Sequence, residues 1–204
     1  MVAYDFKDLP GDENWVNPCL VHGESLGIKD RLYAGEELFN DWHGDTLILG
    51  QEGRGVSLDD RELRYGQELS WAFNKLILEK FSGFRAVLGN VIWFYKLSNT
   101  QGSLKLMSDE VKKANQMILK NTIQEMKNLR QVFCLGKGSY QIFCDQMDLK
   151  GNPTFFSSVA MDGVQIYCIP HPGNRGMNWF KKEANLNHDE AKKKWGDFVR
   201  NFIS

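Results

Sequence analysis

Between residues 46 and 172 the chain alternates short apolar runs with stretches in which apolar residues recur every three or four positions. TLILG (46–50), FRAVLGNVIWFYKL (84–97), QVFCLG (131–136) and VQIYCIPHP (164–172) contain runs with the length and the β-branched or aromatic content of buried strands. LSWAFNKLILEKF (69–81) and SDEVKKANQMILKNTIQEMKNL (108–129) have helical spacing instead. In the second, Ser108 is suited to cap the N-terminus, and Asp109 and Glu110 suit the first turn, where the helix dipole favours negative charge. A shorter helix is predicted from Lys137 to about Cys144, and a last one beginning near Asn187. Strands alternating with helices imply an α/β architecture with a largely parallel sheet.

In such sheets ligands bind in the crevice beyond the carboxyl ends of the strands, so the strand-end loops are where chemistry is expected. Those loops read GQEGRG (50–55), GN (89–90), GKGS (136–139) and HPGNRG (171–176). The first is no dinucleotide fingerprint, because its glycines stand in the wrong order, and it lacks the Lys-Ser/Thr ending of a triphosphate loop. Glu52 at its centre has the wrong charge to hold a phosphate. Taken one at a time, Glu52 is read as a surface carboxylate, Asn90 as a residue that closes a turn, and His171 as a packed loop histidine.

Taken together and in order, ILGQEG (48–53), VLGNVIWFYK (87–96), VFCLGKGSY (132–140) and IYCIPHPGNRG (166–176) resemble the motif set of the uracil-DNA glycosylase superfamily, over about residues 45–180. The resemblance implies a three-layer α/β/α sandwich around a mainly parallel four-stranded sheet. It implies an enzyme that flips a base out of DNA and hydrolyses the N-glycosidic bond of uracil or another deaminated base, without cofactor or metal. Carried over by motif, Glu52 and His171 are the catalytic pair. Gln51, Asn90 and Tyr65 contact the base, with Tyr65 stacking on it. Arg175, Met177, Lys181 and Lys182 meet the DNA, single- or double-stranded. Three positions depart from the family pattern: Glu52 replaces aspartate, Gly53 replaces proline and Gly173 replaces serine. Two alternatives stay open: the same fold without catalysis, as a nucleic-acid or protein binding module, which those departures favour, and an unrelated α/β protein that binds a nucleotide or phosphorylated metabolite, against which the charge of Glu52 speaks.

The 204 residues, 42% hydrophobic, suffice for one domain with a real core, with residues 1–45 as an acidic extension packed on it. Residues 1–60 hold 13 acidic and 4 basic side chains, net −9. The rest, from totals of 26 and 25, holds 13 and 21, net +8, so a polyanion is expected on the second part, while each Lys-rich run read singly is a solvated helix face. Cys19, Cys134, Cys144 and Cys168 show no C-x-x-C spacing and are read as reduced thiols rather than metal ligands. With no apolar run long enough to span a bilayer and no signal-peptide pattern, the expectation is a monomer in the cytoplasm, on the nucleoid in a bacterium or in the nucleus of a eukaryote.

Overall fold

The computed structural model describes residues 9–12, 15–16, 41–52, 76–77, 79–96 and 107–202. Its elements are β1 (Trp15–Val16), β2 (Thr46–Glu52), β3 (Ala86–Ile92), β4 (Tyr95–Lys96), α1 (Asp109–Glu125), β5 (Gln131–Leu135), α2 (Lys137–Gln146), β6 (Ser158–Met161), β7 (Val164–Ile169), α3 (Asn174–Ala184) and α4 (His188–Arg200). A further stretch is helical at residues 76–77 and 79–80.

Five strands form one sheet in the order β3-β2-β5-β7-β6. The first four run parallel, and β6 pairs antiparallel with β7 at the edge. The sheet is therefore one strand wider than the four expected. The fifth is SVAM, whose residues alternate exposed and half-buried, so it lacks the continuous apolar run that marks the other strands.

Alternate side chains of the parallel strands feed two cores. On one face Leu47, Leu49, Val87, Val132, Cys134, Ile166 and Cys168 pack under α1 and α2, through Val111, Ile118, Leu119, Tyr140 and Phe143. On the other, Ile48, Leu88, Phe133, Leu135 and Ile169 meet Phe81 and the inner residues of α3 and α4, namely Met177, Phe180, Ala191, Trp195 and Val199. The second core is largely aromatic. Helices on both faces explain why these strands read as unbroken apolar runs.

Ser108 does cap α1, its side chain accepting from the Val111 N–H, and Asn187 caps α4 in a reciprocal capping box with Glu190. The N-terminal segment touches the first core where it is described. Leu9 and Trp15 are buried there, β1 pairs antiparallel with β4, and Asp12 accepts hydrogen bonds from the Trp15 and Ser108 N–H groups. Cys134, Cys144 and Cys168 are free buried thiols. Among the described residues no helix is long and apolar enough to cross a membrane, and no cluster of His, Cys, Asp or Glu could hold a metal ion.

One expectation is corrected outright. HPGNRG (171–176) reads as a loop because of its Pro-Gly pair, yet residues from Asn174 onward form the helix α3. Gly173 occupies the N-cap position with extended backbone, so the Pro-Gly pair ends just where the helix begins.

Candidate functional site

The strand order contains a switch point. From β2 the chain moves to one side to form β3, then crosses back to the other side of β2 to form β5. In open parallel sheets such a reversal of strand order, here between β2 and β5, makes the carboxyl edge the place where a ligand is expected. Gly50, Gln51 and Glu52 end β2, Gly136 follows β5, Asn90 lies near the end of neighbouring β3, and His171 follows β7 on the other flank.

Register sets Gly50 beside Asn90 in the β2–β3 pair and Glu52 beside Ile92. Asn90 folds its amide over the Gly50 backbone so closely that a Cβ on Gly50 would lie 2.5 Å from the Asn90 Oδ1. Glycine is required there for the space it leaves, not for an unusual φ. Gly50→Ala should therefore push the Asn90 amide out of place. We expect about a tenfold loss in whatever activity depends on that amide, from a methyl group that costs the fold less than a buried cavity would. Parallel melting and activity measurements on the variant check this.

Gln51 reaches the first turn of α2. A Cβ on Gly138 would sit 2.5 Å from the Gln51 Oε1. Gly136 begins α2 at φ +99°, a backbone region that strongly favours glycine, and its N–H donates to the Ile169 carbonyl at 2.7 Å, which ties the β5 loop to the end of β7. The GKGS loop thus needs its two glycines for different reasons, one for conformation and one for contact. Lys137 between them is ion-paired with Glu183 of α3 at 2.7 Å, with its ammonium 5.1 Å from the Phe155 ring centroid.

His171 is held from three directions. The Trp195 indole N–H of α4 donates to the carbonyl of Pro170 at 2.8 Å. Gly176 packs against the His171 backbone, where a Cβ would approach the His171 Cβ to 2.7 Å. The Gly173 N–H donates to His171 Nδ1 at 3.0 Å. That bond makes Nδ1 an acceptor, so the neutral ring carries its proton on Nε2. Burial also lowers the His171 pKa below its ordinary 6.5, because the charged ring would be poorly solvated. The result at neutral pH is an uncharged imidazole with a fixed donor.

The unfolded chain takes up a proton near pH 6.5 and the folded chain only at lower pH, so His171 contributes stability in full above about 6.5. This contribution is lost as pH falls through the window down to the folded pKa. NMR titration should place the His171 ring below 6.5, and His171→Gln should flatten the acid limb of the stability curve.

The remaining expected residues divide. Arg175 is exposed in the first turn of α3, near His171. Lys181 and Lys182 lie in the last turn, about 10 Å further along the axis at 1.5 Å per residue, where they also complement the helix C-terminus. Met177 is corrected: it is only 6% exposed and packs in the aromatic core, so its side chain cannot reach a ligand. Its neighbour Trp179 is 66% exposed, the one exposed large hydrophobic side chain among the described residues. With Arg175, Asn178 and Lys182 it forms an exposed stripe at helical spacing. Glu52 is placed by its backbone at the end of β2, while Tyr65 lies outside the described residues.

The carboxyl edge thus carries Gln51, Asn90, a neutral His171 and the backbone position of Glu52, and α3, which follows His171, bears the aromatic-cationic face. No family model, no curated protein and no solved structure matches the chain.

Proposed function

We propose that the protein is a DNA glycosylase that hydrolyses the N-glycosidic bond of uracil or another deaminated base, acting as a monomer without cofactor. The observation that supports this reading is that Gln51, Asn90 and His171, the last uncharged with its proton on Nε2, all stand at the carboxyl edge of the parallel strands, where Glu52 ends β2.

Breaking the bond between C1′ and the base nitrogen leaves the electron pair on the base and positive charge on the sugar. A fixed Nε2–H donor suits the base carbonyl oxygen where negative charge collects, and a neutral ring donates without first losing a proton to the Glu52 carboxylate. Glu52 stabilises the oxocarbenium-like sugar and takes a proton from the water that adds to C1′. The Asn90 amide offers one donor and one acceptor. Held rigidly over Gly50, it matches the edge of uracil and opposes cytosine, whose groups are reversed. Arg175 and Lys182 are free to approach phosphates, and Trp179 between them offers a ring on which an unpaired base can stack.

A second reading, the same fold as a non-catalytic nucleic-acid module, is favoured by one observation: Glu52 and Gly53 stand where the family keeps aspartate and proline. Incubation with labelled single- and double-stranded oligonucleotides carrying uracil, hypoxanthine or xanthine, followed by alkali, separates the two. Strand breaks at one of these bases, reduced in Asn90→Ala, are expected; binding without breaks on any substrate would favour the second reading.

A further inference from the structure

Within the five-stranded sheet β3 is outermost, so backbone groups at its end cannot all be met by β2 and need other partners. Asn115, fully buried on the inner face of α1, supplies them. Its Nδ2 donates to the Val91 carbonyl at 2.9 Å, and its Oδ1 accepts from the Trp93 N–H at 2.8 Å. The second Nδ2 proton goes to the Gln146 Oε1 of α2 at 3.0 Å, and Gln116 of α1 donates to the Gln146 carbonyl at 2.6 Å. One side-chain amide therefore plays the part of a missing strand, with both its N–H donors and its oxygen engaged.

The two backbone groups it holds, on Val91 and Trp93, lie one and three residues beyond Asn90. The connection also returns to Asn90 by a second route. Trp93, whose N–H is held by Asn115, lays its ring over Gly89, the residue before Asn90; a Cβ on Gly89 would come within 3.2 Å of that ring. Asn90 is thus bracketed by Gly50 on β2 and by a strand end whose position is set from α1 and α2.

We infer that Asn115 is a positioning residue for Asn90, fixing the end of β3 so that the Asn90 amide presents one edge to the base. This rests on the glycosylase reading. Asn115 touches no substrate; it acts through the Val91 carbonyl, the Trp93 N–H and the Trp93 ring.

The test compares Asn115→Leu and Asn115→Asp with Thr122→Val, using an oligonucleotide that carries the base released by the wild type. Thr122 is also buried on α1, but its hydroxyl donates only to the Ile118 carbonyl of its own helix. Single-turnover release at saturating protein, well below each melting temperature, should fall about tenfold in Asn115→Leu, with KM for DNA changed by less than about twofold. Asn115→Asp, which keeps the acceptor for the Trp93 N–H and loses both donors, should fall as well. Thr122→Val should melt earlier and keep its rate. An active wild type whose rate is preserved in both Asn115 variants overturns the inference and leaves the glycosylase reading intact; an inactive wild type overturns both. Should the Asn115 variants not fold, amide exchange in the wild type decides: a Trp93 N–H protected like the β3 amides supports the assignment, and one exchanging like an exposed loop overturns it.

Discussion

Base release by Glu52→Gln should fall by about 10²–10³-fold, the size of effect seen when one preorganised electrostatic group is removed from a reacting centre. Glutamine keeps the length and shape of glutamate and removes only its charge and basicity. Glu52 is the last residue of β2, paired in register with Ile92, and the strand before it is fixed on both sides by β3 and β5. The backbone at this position is set by the sheet, so the substitution should leave the melting temperature within about 2 °C of the wild type. A fall in the single-turnover rate with unchanged DNA affinity would assign the carboxylate to the chemical step rather than to binding. Equal rates for the two proteins would remove Glu52 from the mechanism.

The largest expected effect on stability is at Phe133. This residue is fully buried at the middle of the central strand β5. Its ring lies 5.7 Å from those of Phe81 and Phe84, 5.6 Å from Tyr167 and 5.4 Å from Phe202, so it joins the helical segment near residue 80 to β7 and the C-terminus. Phe133→Ala should cost about 4 kcal/mol, the sum of lost transfer energy and of a cavity that rigid aromatic neighbours cannot collapse. For a chain of this size that corresponds to a melting temperature lower by about 10 °C. Phe133→Leu, which refills most of the space, should recover more than half of the loss. Denaturant unfolding of both variants checks the order.

Periodicity alone locates β2, β3, β5, β7, α1, α2 and α4, because strands buried on both faces are continuous apolar runs and α1 and α4 carry capping residues at their starts. It fails for β6, which is half exposed, and for α3, whose start is hidden by Pro172-Gly173 and whose interior contains Gly176. That glycine is there because His171 leaves no room for a side chain, a tertiary constraint no local pattern expresses. Missing α3 also misassigns Met177: in a loop it would be free to meet DNA, whereas on a helix its spacing to Phe180 turns it inward and leaves Trp179 outside. The positions of Gln51, Asn90 and His171 at strand ends follow from the motifs. Their supports do not, since Gly138, Trp195 and Asn115 are distant in sequence from what they hold. Asn115 alone leaves a trace, a polar residue on the apolar stripe of Val111, Ala114 and Ile118. The position of Tyr65 lies outside the described residues.

Release of a base from DNA at this edge of the sheet is read by intact-mass spectrometry of an oligonucleotide with a single uracil, before any alkali. The expected product is lighter by one uracil and heavier by one water, with the strand uncut, formed by the wild type and suppressed in Glu52→Gln. An unchanged mass for uracil-, hypoxanthine- and xanthine-containing strands after prolonged incubation with folded protein would contradict it.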